Sequence, residues 1–275
     1  MYSGTTLTKY SGRILGAHQK LDRVSRRHLS TLLPRDSVFP SSKQILHFEG
    51  KNGPDAIKRK SPSKDEPWHY FNPFEPDDTQ LLDLIDDHFK QLVTELKLQN
   101  FERAAFDAAW LAHALVDGLT PAHHFPYEAE VMKLRGGAPN HTRTTIKEKL
   151  VMHGDNPAEK LTNNWRMWGT KGLMTTHGSF EWGFSSLIAP MSFAEAIPQQ
   201  KDIATIRDIG IREYFVRAAR EVAVLDLFDE YYSKGWTLRL SYKVRYKLAP
   251  ILVKTITLAW YSAAMEANRD NTPIQ

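Results

Sequence analysis

Hydrophobic side chains recur at helical spacing through most of the 275-residue chain. Pro34 follows the first such stretch, Pro121 ends the third, and Pro250 is expected to kink or break the last. No internal repeat, heptad run or domain linker interrupts the pattern, so we expect one all-α domain, residues 1–275, of six to eight helices. Apolar residues three and four positions apart predict amphipathic helices over 14–33, 80–98, 101–119, 158–187, 203–232 and 237–267.

Residues 34–79 are the exception, because they are rich in proline and show no clear period. A loop of this length inside a compact domain is usually either functional or disordered. The aromatic cluster from Trp68 to Phe74 argues against simple disorder, since disordered segments are poor in aromatic residues. We therefore expect the region to pack, with Asp55 and His69 as its polar contributions.

Composition narrows the classes of function only slightly. Hydrophobic residues make up 41% of the chain, which supports a substantial core, and the net charge of +4 is too small to indicate a nucleic-acid-binding protein. The absence of cysteine excludes disulfides and thiolate metal sites. The first twenty residues lack the apolar core of a signal peptide and no run approaches a membrane span, so we expect a cytoplasmic protein without a transmembrane segment. The oligomeric state is left open.

The candidate chemistry lies in the histidines, all eleven of which fall between His18 and His177. His113 and Asp117 are four residues apart and share one face of a helix, and the turn at Pro121 brings His123 back toward them. A carboxylate between nitrogen ligands suits zinc. The alternative is a buried helix whose histidines bond to the backbone. His177 and Glu181 repeat the four-residue spacing on a second apolar helix, which favours a metal site.

The remaining histidines divide into candidates and exclusions. His18 lies on the first predicted helix and shares a face with Asp22, so it can point inward. His88 stands beside two aspartates and is expected to be solvated. His141 and His153 lie in polar surroundings and are left out of the site.

Taken in chain order, these residues resemble the ligand set of the zinc-dependent phospholipase C family and the related fungal single-strand nucleases, an all-α superfamily with a trinuclear zinc site. The specific motifs are Asp55-x13-His69, a later H-x3-D-x5-H and a final H-x3-E. The resemblance covers residues 18–181, whereas residues 200–270 match only as a helical scaffold. The matching positions are His18, Asp55, His69, His113, Asp117, His123, His177 and Glu181.

The resemblance implies two or three zinc ions. Asp55, His69, His113 and Asp117 would hold the first, and the second would be held by three other positions, namely His123, His177 and Glu181. Asp117 would also reach a third ion together with His18 and, in the family, an N-terminal residue that is typically Trp. This chain begins Met1-Tyr2-Ser3, separates His123 from His177 by more residues than the family leads us to expect, and offers His124 as a rival to His123.

The implied activity is hydrolysis of a phosphodiester by a water molecule that the metal ions activate, with Asp55 orienting that water or taking its proton. The substrate would be a phospholipid or a single-stranded nucleic acid, and the pattern favours the phospholipase branch. The competing hypothesis is a non-catalytic helical protein in which zinc is structural or the histidines line a binding pocket, although eight ligands exceed one closed four-ligand set. The aromatic residues that could receive acyl chains or stack on bases are Trp68, Tyr70, Phe71, Phe74 and Phe125.

Overall fold

The computed structural model describes residues 16–49, 52–57, 69–139, 142 and 145–269, and these residues form helices without any β-strand. The all-α prediction is therefore confirmed. Two 3-10 helices, Pro121–His124 and Ala194–Ala196, join the longer elements. The α-helices are α1 (Ala17–Leu32), α2 (Ser42–His47), α3 (Pro54–Ile57), α4 (Gln80–Lys97), α5 (Phe101–Gly118), α6 (Tyr127–Leu134), α7 (Ile146–Leu150), α8 (Pro157–Trp168), α9 (Leu173–Ile188), α10 (Gln200–Ala223), α11 (Leu227–Lys234), α12 (Leu238–Lys243) and α13 (Ala249–Arg269).

The single helix predicted over 158–187 is wrong, because the chain forms α8 and α9 with a bend between them. Gly169 adopts an extended conformation there, with φ −63° and ψ 178°. A Cβ atom at Gly169 would lie 2.5 Å from the Trp165 carbonyl oxygen, so only glycine fits the close approach of the chain to the end of α8. The apolar period continues across the bend, which is why periodicity alone missed it.

The helix predicted over 203–232 is also divided. Gly210 interrupts α10 with φ 76° and ψ 170°, and Asp226, with φ 54°, separates α10 from α11. The last predicted helix does run on from Leu238 to Arg269, and a π-helical turn at Val244–Leu248 directly precedes Pro250. A proline lacks the N–H of a regular helix, and a widened turn is one way to accommodate it.

The helix from Leu238 to Arg269 is long and apolar enough to cross a membrane by length and composition, contrary to the expectation that no run approaches a span. Its most apolar window has a mean hydropathy of 1.3, and 67% of that window is buried inside the fold. A buried core helix satisfies the same criteria. The burial of this helix is explained by its packing against α1, α4, α5 and α10.

Two short helices lie in the region predicted to be irregular. The helix α2 starts with a capping box, in which the Ser41 hydroxyl accepts the N–H of Gln44 and the Gln44 side chain accepts the N–H of Ser41. The helix α3 carries Asp55 in its first turn. The rest of the region includes residues 58–68, which lie outside the described residues, as does Trp68 of the aromatic cluster.

The core is organised around α5, which packs against α4, α13, α2 and α1. Its alanines Ala104, Ala105, Ala108 and Ala109 are completely buried, and their small side chains let neighbouring backbones come close. The buried indole of Trp260 on α13 donates a hydrogen bond of 3.0 Å to the Ala108 carbonyl oxygen. One cluster of buried apolar residues extends from Ala17 to Ala267. A smaller cluster under α8 contains Val131, Met152 and Met167.

Gly118, the last residue of α5, directly follows Asp117 and lies where neighbouring side chains leave no space for a Cβ atom. A Cβ atom there would overlap Cδ2 of Leu81 on α4 and would lie 2.5 Å from Cζ of Phe215 on α10. The absence of a side chain at Gly118 therefore allows three helices to meet beside the candidate ligand Asp117.

We expect Gly118→Ala to lower the free energy of unfolding by about 1–3 kcal/mol, because the added methyl group overpacks the contact with Leu81 and Phe215. Gly178→Ala is the matched control, since Gly178 is exposed, lies within α9 and has nothing within 4 Å of the added Cβ. The control should be neutral or more stable by up to about 1 kcal/mol. Urea unfolding followed by circular dichroism measures both variants, and equal effects would contradict the packing argument.

Candidate metal centre

The eight candidate ligands, which come from six separate parts of the chain, meet in one buried region. They fall into three groups whose ligand atoms lie within 4.8 Å of one another, and Asp117 also approaches His18. His18 lies on α1, Asp55 on α3, His69 in the segment between α3 and α4, His113 and Asp117 on α5, His123 on a 3-10 helix, and His177 and Glu181 on α9.

The first group contains Asp55, His69, His113 and Asp117. Nε2 of His113 lies 3.2 Å from Oδ2 of Asp117 and 3.7 Å from Oδ1 of Asp55. Donor atoms about 2.0–2.2 Å from a tetrahedral zinc ion stand roughly 3.4 Å apart, so these separations fit ligands of one ion. Nε2 of His113 is buried and has no hydrogen-bond partner among the described residues. A metal ion bound by this group would give Nε2 of His113 a partner.

Asp117 is the member that touches the most histidines. Its Oδ1 lies 3.3 Å from Nε2 of His18, while its Oδ2 pairs with Nδ1 of His69 and lies 3.9 Å from Nδ1 of His123. The two oxygens therefore face different imidazoles, as a carboxylate shared between two neighbouring ions requires. Because Asp117 follows His113 by one helical turn, the rigid backbone of α5 fixes the separation of the two side chains.

The second group contains His123, His177 and Glu181. Oε1 of Glu181 lies 3.0 Å from Nε2 of His123 and 2.8 Å from Nε2 of His177. Nδ1 of His123 bonds to the carbonyl oxygen of His69 at 2.7 Å, which leaves Nε2 as the nitrogen directed at the group. The backbone N–H of Phe71 in turn donates to the His123 carbonyl oxygen at 3.1 Å. These two bonds fasten the segment carrying His69 to the turn carrying His123.

The structure shows His123, and not His124, within this group. Nε2 of His124 lies 2.8 Å from the carbonyl oxygen of Gly118, and burial lowers the pKa of His124 to about 4. A neutral imidazole that donates to the backbone has a structural role. Of the two histidines that the sequence offered as a ligand, His123 is therefore the one placed to bind a metal ion with His177 and Glu181.

The third group adds a residue that sequence reasoning missed. Glu49 is 1% exposed, and it forms a group with His18 and His113. Its Oε1 lies 3.0 Å from Nδ1 of His113. A carboxylate on the second nitrogen of a ligating histidine fixes the tautomer and the ring orientation, so Glu49 supports His113. The imidazoles of His18 and His113 stack with centroids 3.9 Å apart.

Asp22 lies next to this third group and was also not among the candidates. It follows His18 by one turn of α1, is 2% exposed, and neither carboxylate oxygen has a hydrogen-bond partner among the described residues. Burial and the nearby charge of Glu49 raise the pKa of Asp22 well above its usual value. The pairing of a histidine with a carboxylate four residues later was visible in the sequence, but a single such pair on a first helix carried little weight. The N-terminal residue that the family resemblance assigns to a third ion lies outside the described residues.

The electrostatics of the region favour a cation. Burial alone would lower the pKa of His113, but Asp117, Glu49 and Asp55 raise it to about 10. Burial alone would raise the pKa of Asp117 and Glu181, yet histidines beside each hold it well below its usual range. Carboxylates this deeply buried must be compensated by positive charge, supplied by protons or by metal ions.

The residue types fit zinc. Imidazole and carboxylate donors are its usual ligands in a protein without cysteine. The first group supplies four such ligands and the second supplies three, so the second offers one position fewer than tetrahedral zinc requires. The three groups of His, Asp and Glu could hold a metal ion. That the metal is zinc, and that two or three ions bind, stays a prediction. The ligands are mostly buried, whereas the side chain of Asp55 is 20% exposed.

Two other expectations about polar and aromatic residues are wrong. His88 is not solvated, because its Nδ1 lies 3.0 Å from Oδ1 of the completely buried Asp107 and its side chain is 16% exposed. Phe71 is a core residue that packs on Phe215, with ring centroids 5.3 Å apart. Phe125 is partly buried and packs on Tyr127 at the edge of the core.

Tyr70, by contrast, lies beside the centre, since its ring centroid is 5.4 Å from that of His123. Phe74 is 64% exposed. The aromatic residues that the sequence suggested for substrate contact are therefore divided among the core, the surface and the neighbourhood of His123.

No family model, curated protein or solved structure matches the chain.

We expect Asp117→Asn to remove more metal than any other single ligand substitution, because this carboxylate faces histidines of more than one group. Elemental analysis of the purified chain should show about one ion lost in Glu181→Gln and at least two in Asp117→Asn. Asp107→Asn is the matched control, since Asp107 is a completely buried aspartate on the same helix outside the centre. Full metal content in Asp117→Asn would contradict the assignment.

Replacement of Glu49 by alanine should weaken metal binding by about 10–100-fold, because the supporting carboxylate on His113 is lost. Competition with a chromophoric chelator measures the affinity. Glu49→Gln should retain part of it, since the amide oxygen can still accept the Nδ1 proton. Equal loss in both variants would indicate that Glu49 is itself a ligand and not a support.

Proposed function

We propose that the protein is a zinc-dependent phosphodiester hydrolase of the phospholipase C type. The observation that carries the proposal is the meeting of the eight ligands of the ordered pattern, although they come from distant parts of the sequence. Seven of them fall into two groups, and the eighth, His18, lies 3.3 Å from Asp117. A structural zinc site needs a single closed set of four ligands, which this arrangement exceeds.

Zinc bound at these groups would supply Lewis acids that lower the pKa of a coordinated water toward neutrality and offset the charge of the phosphodiester. The chain itself supplies Asp55, whose partly exposed carboxylate is the ligand best able to meet solvent and substrate. In the proposed reaction, Asp55 orients the attacking water and accepts its proton. The water oxygen bonds to phosphorus in line with the leaving oxygen, whose bond to phosphorus breaks, and the departing alkoxide takes a proton from solvent.

Tyr127 supplies a further polar group beside the second set. Its side chain is 2% exposed, its ring centroid lies 4.7 Å from that of His177, and its hydroxyl has no hydrogen-bond partner among the described residues. Burial raises its pKa, so the hydroxyl keeps its proton. A protonated hydroxyl is suited to donate a hydrogen bond to a phosphoryl oxygen as negative charge develops there.

Asp55→Asn should lower kcat by at least about 10²-fold, since the amide cannot accept the proton from water. Exposed Asp87 on α4 provides the control Asp87→Asn, which should keep full activity. Hydrolysis of soluble short-chain phosphatidylcholine and of single-stranded DNA is measured in parallel, with and without a chelator.

Activity on the phospholipid that the chelator abolishes and that Asp55→Asn lacks would support the proposal. Chelator-sensitive cleavage of DNA alone would move the protein to the nuclease branch. Bound zinc with no activity on either substrate would favour the non-catalytic alternative.

A further inference from the structure

The segment between His123 and His177 forms a small unit with a core of its own. It contains α6, α7 and α8. Val131 on α6, Met167 on α8 and Met152 in the connection after α7 are buried together in a cluster apart from the main core. Met167, on the inner side of α8, is 2% exposed. The insertion of this unit explains why His123 and His177 are far apart in the sequence although both belong to the second group.

The outer side of α8 carries large apolar side chains that nothing in the described chain covers. Leu161, Trp165 and Trp168, here called the α8 stripe, are 72%, 65% and 41% exposed. They follow one another at spacings of four and three residues, so they lie along one side of the helix. Nε1 of Trp168 donates to the carbonyl oxygen of Leu150, itself 50% exposed, which extends the apolar surface beyond α8. Exposed apolar side chains grouped in this way indicate an interaction surface.

The charges around the stripe are complementary to an anionic partner. Residues 145–171 contain five lysine and arginine residues against three aspartate and glutamate residues. Two of the acids act as backbone caps, since Glu148 accepts the N–H of Thr145 and Glu159 accepts the N–H of Asp155.

The lysine and arginine side chains near the stripe, unlike these two acids, are not held by such contacts. Lys160, Arg166 and Lys171 are exposed, and none of them forms an ion pair with another described residue. Tryptophan and leucine on one side of a short helix, with lysine and arginine beside them, are typical of helices that lie in the interface of a bilayer.

The stripe is joined to the candidate centre. The Trp168 carbonyl oxygen accepts a hydrogen bond of 2.9 Å from Oγ1 of Thr175, in the first turn of α9. The next turns of α9 carry His177 and Glu181. This hydrogen bond therefore ties the end of α8, which carries the stripe, to the start of α9, which carries two of the ligands.

We propose that the α8 stripe docks the protein onto a lipid surface rich in anionic headgroups, with Leu161 and Trp165 entering the interface and the neighbouring cations meeting the headgroups. The choice of a lipid surface rests on the proposed phospholipase function, since indole rings can also stack on nucleic-acid bases or cover a second copy of the chain. Burial of the exposed leucine and indole supplies the affinity, and the cations give it a dependence on headgroup charge and on salt.

Co-sedimentation of the full chain with vesicles tests the docking surface without relying on turnover. All variants carry Asp55→Asn so that the lipid is not consumed, and the vesicles contain either phosphatidylcholine alone or equal parts of phosphatidylcholine and phosphatidylserine. The double substitution Leu161→Ser with Trp165→Ser should weaken binding to the mixed vesicles by at least about tenfold. Leu238→Ser is the matched control, since Leu238 is 92% exposed at the start of α12, and it should bind as the parent does.

Three results would overturn the proposal. The first is no binding of the parent to mixed vesicles, and the second is an equal loss in the double variant and in Leu238→Ser. The third is unchanged vesicle binding in the double variant, accompanied by the loss of single-stranded DNA binding or of a dimer seen by light scattering. Failure of the phosphodiesterase is distinguishable, because it appears in the assay on soluble short-chain substrate, which needs no docking surface.

Discussion

The carboxylate of Asp117 is enclosed by four imidazoles, those of His18, His69, His113 and His123, at a position where its side chain is 1% exposed. An anion in such a place is stable only when positive charge lies close to both oxygens. Each histidine comes from a different element or a different turn, so this one charge holds α1, α5, the segment before α4 and the turn after α5 in register. The surrounding helices must therefore pack so that the four imidazoles stay close to the Asp117 carboxylate.

The small side chains of α5 let neighbouring helices pack closely on it, and this close packing holds Asp117 in place among the imidazoles. The alanines of α5 let α4 and α13 approach, the Trp260 indole is fixed on the Ala108 carbonyl oxygen, and Gly118 admits side chains from α4 and α10 directly beside Asp117. Close packing leaves little freedom for the helix backbone, so the separation of His113 and Asp117 is set before any ligand binds. Such preorganisation places the chemistry on a rigid element, while the partly exposed Asp55 comes from the short α3.

Much of this could be predicted from the sequence, because it depends on local spacing. The helical class follows from apolar periodicity, and the pairs His113 with Asp117 and His177 with Glu181 follow from the pitch of a helix. Glu49 could not be found in this way, since a single glutamate in a short connection has no spacing that relates it to His113, 64 residues away. The bend at Gly169 was missed because it leaves the apolar period intact on both sides, and the burial of His88 depends on Asp107 from the neighbouring helix.

The choice between lipid and nucleic acid depends on where aromatic side chains end up, which composition does not reveal. Among the described residues, Phe71 is buried in the core, Phe125 is partly buried against it, and Tyr70 lies against His123. Few aromatic faces therefore remain beside the centre for stacking bases. In the part of the chain that the structure describes, two of the exposed indoles, Trp165 and Trp168, lie on α8 beside the exposed Leu161, and Trp182 is exposed on α9. With a net charge of only +4, long-range attraction to a polyanion is modest, whereas a few local cations suffice at a charged lipid surface. The exposed leucine and indoles on α8 are the reason why we propose a lipid substrate over a nucleic acid.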